Sequence, residues 1–402
     1  MKILVLVHRP LYSLSSGIAR VIYDTYIGLS KRGHEILIAS LTRRGSESRR
    51  NIDKLKHLDL REDVLSRIIL LPSRILTVAS RKGLSFVQLS LMPKIYGKNP
   101  KIINKLVKIA KKFDPDIVIS ELIYMGFLAN RISTELGSNF IIRSHNVEME
   151  YLSIFAPRSM HMLLKSLIQP LEQKVLSLSN KIITLSLRDA YLINEIYNLS
   201  AEFLGVPLQK PPDEFACKED VEKLDLEPYN YFLFTGSLHK PNVVVLRELL
   251  KAAKYLESKS TLTIAVVGSI SEAVPRSRPS NIKVVGIVSA KVLHSLYTYA
   301  EASIAPIFQG SGIPIKLVES LIYGLPTITT RKALLMLPGL KHGDNIFVTK
   351  DVKSFTKDIQ TLVEDVELRE TIKRGAQNFS QKNLNYHKIL QCYELALTTS
   401  KS

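Results

Sequence analysis

Ile304-Ala-Pro-Ile-Phe-Gln-Gly-Ser-Gly-Ile-Pro-Ile-Lys-Leu-Val-Glu-Ser-Leu-Ile-Tyr-Gly-Leu-Pro326 reads as a strand, a turn and a helix in immediate succession. An apolar strand ends near Ala305, and the small residues Gly310-Ser311-Gly312 make the turn. Pro314 suits a first helical turn, where its missing N–H costs nothing. The helix is expected to run to Gly324, a left-handed C-terminal cap, with Pro326 just beyond. Glycines before a helix N-terminus let backbone N–H groups approach an anion, and the helix dipole favours negative charge there.

Lys316 and Glu319 stand three residues apart and share one helix face, while Leu317, Val318, Leu321 and Ile322 form the buried side. A cation beside a phosphate-binding turn, with a carboxylate one turn deeper, matches a sugar nucleotide. The ammonium meets the diphosphate, and the carboxylate accepts hydrogen bonds from ribose hydroxyls. The competing reading is an ordinary ion pair on an exposed face. The turn, Pro314 and Gly324 in register favour the site.

Outward from this segment the chain alternates strands and helices. Apolar runs at Ile3–Val7, Ile36–Ser40, Ile117–Ser120, Phe140–Arg143 and Lys181–Leu185 read as strands, with a helix over Gly17–Arg32. A second series follows at Tyr231–Thr235, Leu262–Val267, Lys283–Val285, Ala302–Ala305 and Thr327–Thr329. Short all-apolar strands alternating with helices indicate parallel sheets covered on both faces. Residues 208–229, polar and with Pro211 and Pro212 adjacent, read as a linker. The expectation is an α/β protein of two doubly wound domains, 1–207 and 230–382, facing a central cleft. The terminal helix, about 383–400, is free to pack back on the first domain. Ligands in such sheets bind beyond the carboxyl ends of the strands.

Composition sets the outer bounds. The chain has 402 residues, 46% of them hydrophobic, which is too many for one comfortable core and about right for two domains. Cys217 and Cys392, its only cysteines, fit no metal-ligand spacing and point to a reducing compartment. The apolar run Ile3–Val7, closed quickly by Pro10, fits a buried first strand and is too short for a signal peptide or membrane span. The expected location is cytoplasmic, at most peripheral on the inner face of a membrane.

The net charge is +18, concentrated at the start: residues 1–120 carry 23 Lys and Arg against 9 Asp and Glu. Such a portion attracts phosphates, whether in nucleic acid, anionic lipid headgroups or a phosphate-linked substrate, and an ordinary solvated surface is the plain alternative. Zinc-finger spacing, an aromatic RNP-like segment and a basic zipper are all missing, so nucleic acid is not an expected partner. The mixed basic and apolar stretch Arg67–Lys112 makes an anionic membrane surface the partner to test.

Gly310-Ser-Gly-Ile-Pro-Ile-Lys-Leu-Val-Glu319 resembles the donor-binding signature of glycosyltransferase family 4, in its Gly-Ser-Gly-Ile-x-x-Lys-x-x-Glu variant. Three further segments support the resemblance: Gly33-His34-Glu35, Phe234-Thr-Gly-Ser-Leu-His-Lys-Pro-Asn242 and His342-Gly-Asp-Asn345. The resemblance implies the GT-B fold, with two Rossmann-like domains. It also implies a nucleotide-diphospho-sugar as co-substrate in the C-terminal domain, an acceptor (a glycan or a lipid-linked sugar) in the N-terminal one, and retention of configuration. No cofactor and no metal are implied. Carried over residue by residue, Glu319 holds the ribose and Lys316 the diphosphate. Gly312 and Ile313, beside Ser311, offer backbone N–H groups to phosphate, Gly17 approaches the distal phosphate, and His145 stands by the reacting sugar.

Two positions depart from the pattern. Gln309 stands where many members have a glutamate. Ser237 stands where many have an arginine, which leaves Lys240 to share the neutralisation of the diphosphate. These departures keep open a non-catalytic scaffold that binds sugar nucleotide and activates a partner, and a sugar-nucleotide epimerase is a further alternative.

By itself, His145 after the strand Phe140–Arg143 is more often a structural residue than a catalytic one, and the resemblance reverses that order in favour of a site role. Glu121 and Glu148 are weaker cleft candidates that could equally cap a helix or face solvent. Asp114-Pro-Asp116 has the form used by metal-dependent sugar transferases, but it precedes its strand and reads as a turn.

Overall fold

The computed structural model describes residues 1–8, 17–42, 48–52, 55–61, 99–155, 159, 161–308 and 310–399. Pro10, Gln309 and residues 67–98 of the basic stretch lie outside them. By contacts the chain divides into two units: Met1–Pro207 with Ser311–Ile313 and His387–Ser402, and Leu208–Gly310 with Pro314–Tyr386.

The first unit is built on strands β1 (Lys2–Val7), β2 (Glu35–Thr42), β3 (Ser48–Ile52), β4 (Leu55–Arg61), β5 (Ile117–Glu121), β6 (Asn139–Ser144), β7 (Lys181–Thr184) and β8 (Glu202–Phe203). They lie in the order β3-β4-β2-β1-β5-β6-β7-β8, parallel except for the antiparallel edge strand β3. Residues 3–7 of β1 and the whole of β5 are buried, as expected of strands covered on both faces.

The helices are α1 (Gly17–Lys31), α2 (Pro100–Phe113), α3 (Gly126–Leu136), α4 (Glu148–Phe155), α5 (His161–Ser177) and α6 (Leu187–Tyr197). Asn99 caps α2, its Oδ1 accepting from the N–H groups of Lys101 and Ile102 at 3.1 and 3.3 Å. Asp114 closes α2 in the left-handed conformation, and Asp116 accepts from the Lys2 N–H at 2.8 Å. Asp114-Pro-Asp116 is thus a helix-to-strand turn at the amino end of β5. Gly126 opens α3 where a Cβ would collide with Val175 of α5, so the close approach of these helices requires glycine.

The second unit holds α7 (Lys218–Glu222), β9 (Tyr231–Thr235), α8 (Lys240–Leu256), β10 (Thr263–Val267), β11 (Ile282–Gly286), α9 (Ala290–Thr298), β12 (Ala302–Ile304), α10 (Ile315–Ile322), β13 (Thr327–Thr330), α11 (Arg331–Met336), β14 (Phe347–Thr349), α12 (Phe355–Glu364) and α13 (Val366–Asn383). Its six parallel strands run β11-β10-β9-β12-β13-β14. The strand order therefore reverses between β9 and β12, the topological switch point at which a doubly wound sheet opens a crevice for ligands. Residues 208–229, polar enough to read as a linker, are grouped with this unit, and Val221 and Leu226 are buried in its core. The last helix, α14 (Tyr386–Thr398), lies from His387 onward in the first unit. Glu394 on it meets Arg32 Nε at 2.6 Å and His34 Nε2 at 2.9 Å.

The two doubly wound sheets expected from the apolar runs are present. Strands β3, β4, β8 and β14 were not expected. The first is polar, the second alternates around Lys56 and Asp59, and the others span only two and three residues. Pro314 also differs from expectation. With ψ at 110° it precedes the helix, and its carbonyl accepts the first helical bond, from Leu317 N–H at 2.9 Å. Gly324 closes the segment at φ +67°, as its position required.

Candidate functional site

In the second unit the site is assembled at the carboxyl ends of β9, β10 and β12. Gly236 N–H bonds to Val267 O at 2.9 Å, and Gly268 N–H bonds to Gly286 O at 2.7 Å. A Cβ on Gly268, at φ +96°, would run into Gly236 O, so the two strand ends come this close only with glycine there.

From Gly236 the chain turns through Ser237 to α8, which opens with Lys240 and Pro241. Asn242 in that first turn faces two ways. Its Nδ2 donates to Ser237 O at 2.9 Å, and its Oδ1 accepts from Lys316 Nζ at 2.9 Å. The Lys316 ammonium also lies 4.7 Å from the Phe234 ring centroid. The residue as a whole is half-buried, but its charged end is the enclosed part, and burial lowers it to about 7. His239 is held low by burial and then by Lys316. Ser237 and Lys240 are exposed beside them.

Glu319, 8% exposed, is anchored separately. It accepts from Tyr297 OH at 3.0 Å, and that hydroxyl stands 3.0 Å from Thr235 Oγ1. Burial and the nearby Glu319 push the Tyr297 phenol up, so it serves as a donor. Tyr323 stacks on Tyr297 at 4.9 Å. The Lys–Glu pair is therefore no exposed ion pair: each member is held by its own partner from another element.

In the first unit His145 follows β6 and is 4% exposed. Its Nε2 lies 2.5 Å from Glu121 Oε2, and Arg143 Nη1 lies 3.1 Å from Glu121 Oε1. Burial alone would raise the Glu121 carboxyl, but Arg143 and then His145 hold it down to about 2. Burial lowers His145 in turn. An ionised Glu121 beside a neutral imidazole makes Nε2–H the donor and leaves Nδ1 a lone pair, which has no partner among the described residues. Arg143 is fully enclosed, bonding to Tyr393 OH at 3.1 Å and Thr25 Oγ1 at 2.8 Å, and Tyr26 OH donates to Glu121.

Among the segments grouped with this unit, Ser311 Oγ is buried with no partner among the described residues. Gly312 has φ +71°, and a Cβ there would strike His145 O. Ile313 is buried, while Gly17 is exposed at the first position of α1.

Neither Glu121 nor Glu148 faces solvent. Glu148 begins α4 but does not cap it. Glu172 does, accepting from the N–H groups of residues 148 and 149 at 2.8 and 3.0 Å. Burial and then Glu172 raise Glu148 to about 8.

Sequence reading missed Asn242, Tyr297, Arg143, Tyr26 and Tyr393 as members of these constellations. Arg143 left a signal, an arginine closing an apolar strand, and so did Asn242, which closes the segment from Phe234 that supports the resemblance.

Among the described residues no group of three or more His, Cys, Asp or Glu is placed to hold a metal ion, and no helix is long and apolar enough to cross a membrane.

These features define an α/β protein with two Rossmann-like sheets. The family described as Glycosyltransferase Family 4 matches residues 15–202, and the one described as Glycosyl transferases group 1 matches residues 229–365. The chain belongs to these glycosyltransferases. It has the GT-B fold.

Sucrose-phosphate synthase from Thermosynechococcus elongatus is similar to it, with a TM-score of 0.74 at 11% identity, covering 99% of each chain. A glycosyltransferase from Rickettsia africae aligns with a TM-score of 0.67 at 13% identity, over 100% of this chain and 98% of that one. Anabaena HepE in complex with UDP-glucose aligns with a TM-score of 0.67 at 13% identity, over 99% and 100%. At such identities the likeness speaks for the fold. No curated protein matches the chain.

Proposed function

We propose that the chain is a retaining glycosyltransferase that moves a sugar from a nucleotide-diphospho-sugar to an acceptor hydroxyl, in the assembly of a glycan, cell-surface polysaccharide or glycolipid. One observation carries the reading. At the switch point of the second sheet, α10 presents an enclosed ammonium and a buried carboxylate three residues apart, each oriented by a separate partner. The UDP and UDP-glucose complexes of HepE, a protein of the same fold, support a nucleotide-sugar donor.

In this reading Glu319 accepts from the ribose hydroxyls, and Lys316 meets the diphosphate. Negative charge grows on the diphosphate as the glycosidic bond breaks, so Lys316 stabilises the transition state more than the ground state. Ser237 and Lys240 complete the phosphate surroundings in the second unit; in the first, Ser311, Gly312, Ile313 and Gly17 are the residues the resemblance assigns to phosphate. His145, neutral and offering a lone pair at Nδ1, accepts a hydrogen bond from a sugar hydroxyl. Same-face attack, with the leaving phosphate taking the proton, gives retention without a carboxylate nucleophile. No cofactor or metal is required.

A panel of UDP-, GDP- and ADP-sugars in thermal shift identifies the donor, since a ligand at 100 times its Kd adds about 2.7 kcal/mol. Turnover of that donor by purified protein, in chelator and with retained configuration, is the expected result. Binding without hydrolysis or transfer would establish the scaffold reading instead, and loss of turnover in chelator restored by Mn²⁺ or Mg²⁺ would refute metal independence.

A further inference from the structure

In the first unit, α2 packs on α3 and α3 on α5, and all three send their apolar sides into one core. They form a single layer over the sheet. The outer surface of this layer is unusual in two respects.

First, α2 carries five lysines and no acidic residue. Lys101, Lys105, Lys108 and Lys112 recur at intervals of four, three and four, so they form one stripe, and all are exposed. Lys111 beside them is paired with Glu135 of α3.

Second, the first turns of α5 leave large apolar side chains in water: Met162 is 80% exposed, Leu163 49% and Leu167 38%. Lys165 stands exposed among them. Glu172, the only acidic residue of α5, is fully buried beneath α4 and shows no charge at this surface.

The topology puts the start of the stripe, Lys101 and Lys105, at the same end as Met162, Leu163 and Leu167. Both α2 and α5 finish where a strand begins, at Ile117 and Lys181, so both start at the carboxyl ends of the parallel strands. His145, just past β6, stands at that end too.

We propose that this end of the layer docks on an anionic lipid bilayer, with Met162, Leu163 and Leu167 entering the headgroup region and the α2 lysines meeting lipid phosphates. A cationic stripe alone would suit any polyanion. Exposed methionine and leucine beside it match an interface that is apolar within a few ångströms of its negative surface. The inference concerns where the protein works. It does not depend on the identity of the donor.

The test uses the full chain with vesicles of phosphatidylglycerol and phosphatidylcholine, and with vesicles of phosphatidylcholine alone. Sedimentation with the anionic vesicles only, weakening as salt rises, is expected. K101Q/K105Q/K108Q/K112Q should weaken it about fivefold for each lysine that reaches the surface. M162S/L163S/L167S should weaken it about tenfold or more, and the loss should persist at high salt, where the lysines contribute little. Both variants change exposed side chains, so thermal unfolding and donor binding without vesicles should match wild type. Equal binding to both vesicle types, binding to neither, or undiminished binding by the serine variant overturns the proposal, the last because it leaves a polyanion-binding stripe. Loss of donor binding in wild type strikes the proposed function and leaves the docking result standing.

Discussion

Replacing Lys316 by methionine removes a group whose protonation burial opposes. Burial has lowered its ammonium to about 7, with Asn242 Oδ1 and the Phe234 ring beside it. If Lys316 meets the diphosphate as proposed, the bound donor supplies the missing negative charge and returns the lysine to its ordinary range, and the site should take up a proton on binding. The sign follows directly. Below pH about 7 the lysine is already charged and donor affinity is flat. Above it the proton must be drawn from solution, and affinity falls about tenfold per pH unit, or about 1.4 kcal/mol.

The ligand should be an intact nucleotide sugar. Its diphosphate is esterified at both ends and has no proton titrating in this range. His239 is held low by burial and by Lys316. Calorimetry at about pH 8.5, in two buffers of different ionisation enthalpy, should show close to one proton taken up. Lys316→Met should bind more weakly, with no pH dependence and no proton uptake, and its kcat should fall by about 10²–10³-fold. Affinity that stays flat from neutral pH upward, with no buffer dependence in the wild type, refutes the assignment of Lys316 to the diphosphate.

Glu319→Ala should cost about 1.5–3 kcal/mol of donor and free-nucleotide binding and erase discrimination between ribose and deoxyribose, while Tyr297→Phe, losing only the bond that orients the carboxylate, should cost about 0.5–1.5 kcal/mol of binding and leave kcat near wild type. Titration calorimetry against both nucleotide types separates them. Glu148, raised to about 8 by burial and Glu172, binds its proton more tightly folded than unfolded. Stability should therefore fall as pH rises from about 4.5 towards 8, by up to about 1.4 kcal/mol per unit, and Glu148→Gln should flatten that slope in denaturant melts. Arg143→Met strands the buried Glu121 carboxylate and should cost about 3–5 kcal/mol of stability; Glu121→Gln in the same chain should recover part of it, and no recovery would argue against the ion pair as the cause.

What could be read from the chain was local. Runs such as Ile3–Val7 and Tyr231–Phe234 are apolar at every position because both faces of their strands are covered, and that pattern needs no knowledge of neighbours. The segment from Ile304 to Pro326 was legible for the same reason: strand, glycine turn, helix and cap follow one another directly, and the left-handed Gly324 stands where its position demanded.

Tertiary structure decided what no short window contains. Strand order, and with it the switch point between β9 and β12, depends on pairings between segments far apart in the chain. The partners that orient the candidate groups are equally remote. Asn242 is 74 residues from Lys316, Tyr297 is 22 from Glu319, and Tyr393 is 250 from Arg143. An asparagine, a tyrosine or an arginine has the same helix or strand propensity whether it faces water or holds a buried charge. Folding alone sets its distance to a partner and the burial that shifts both, so the roles of these residues exist only in three dimensions.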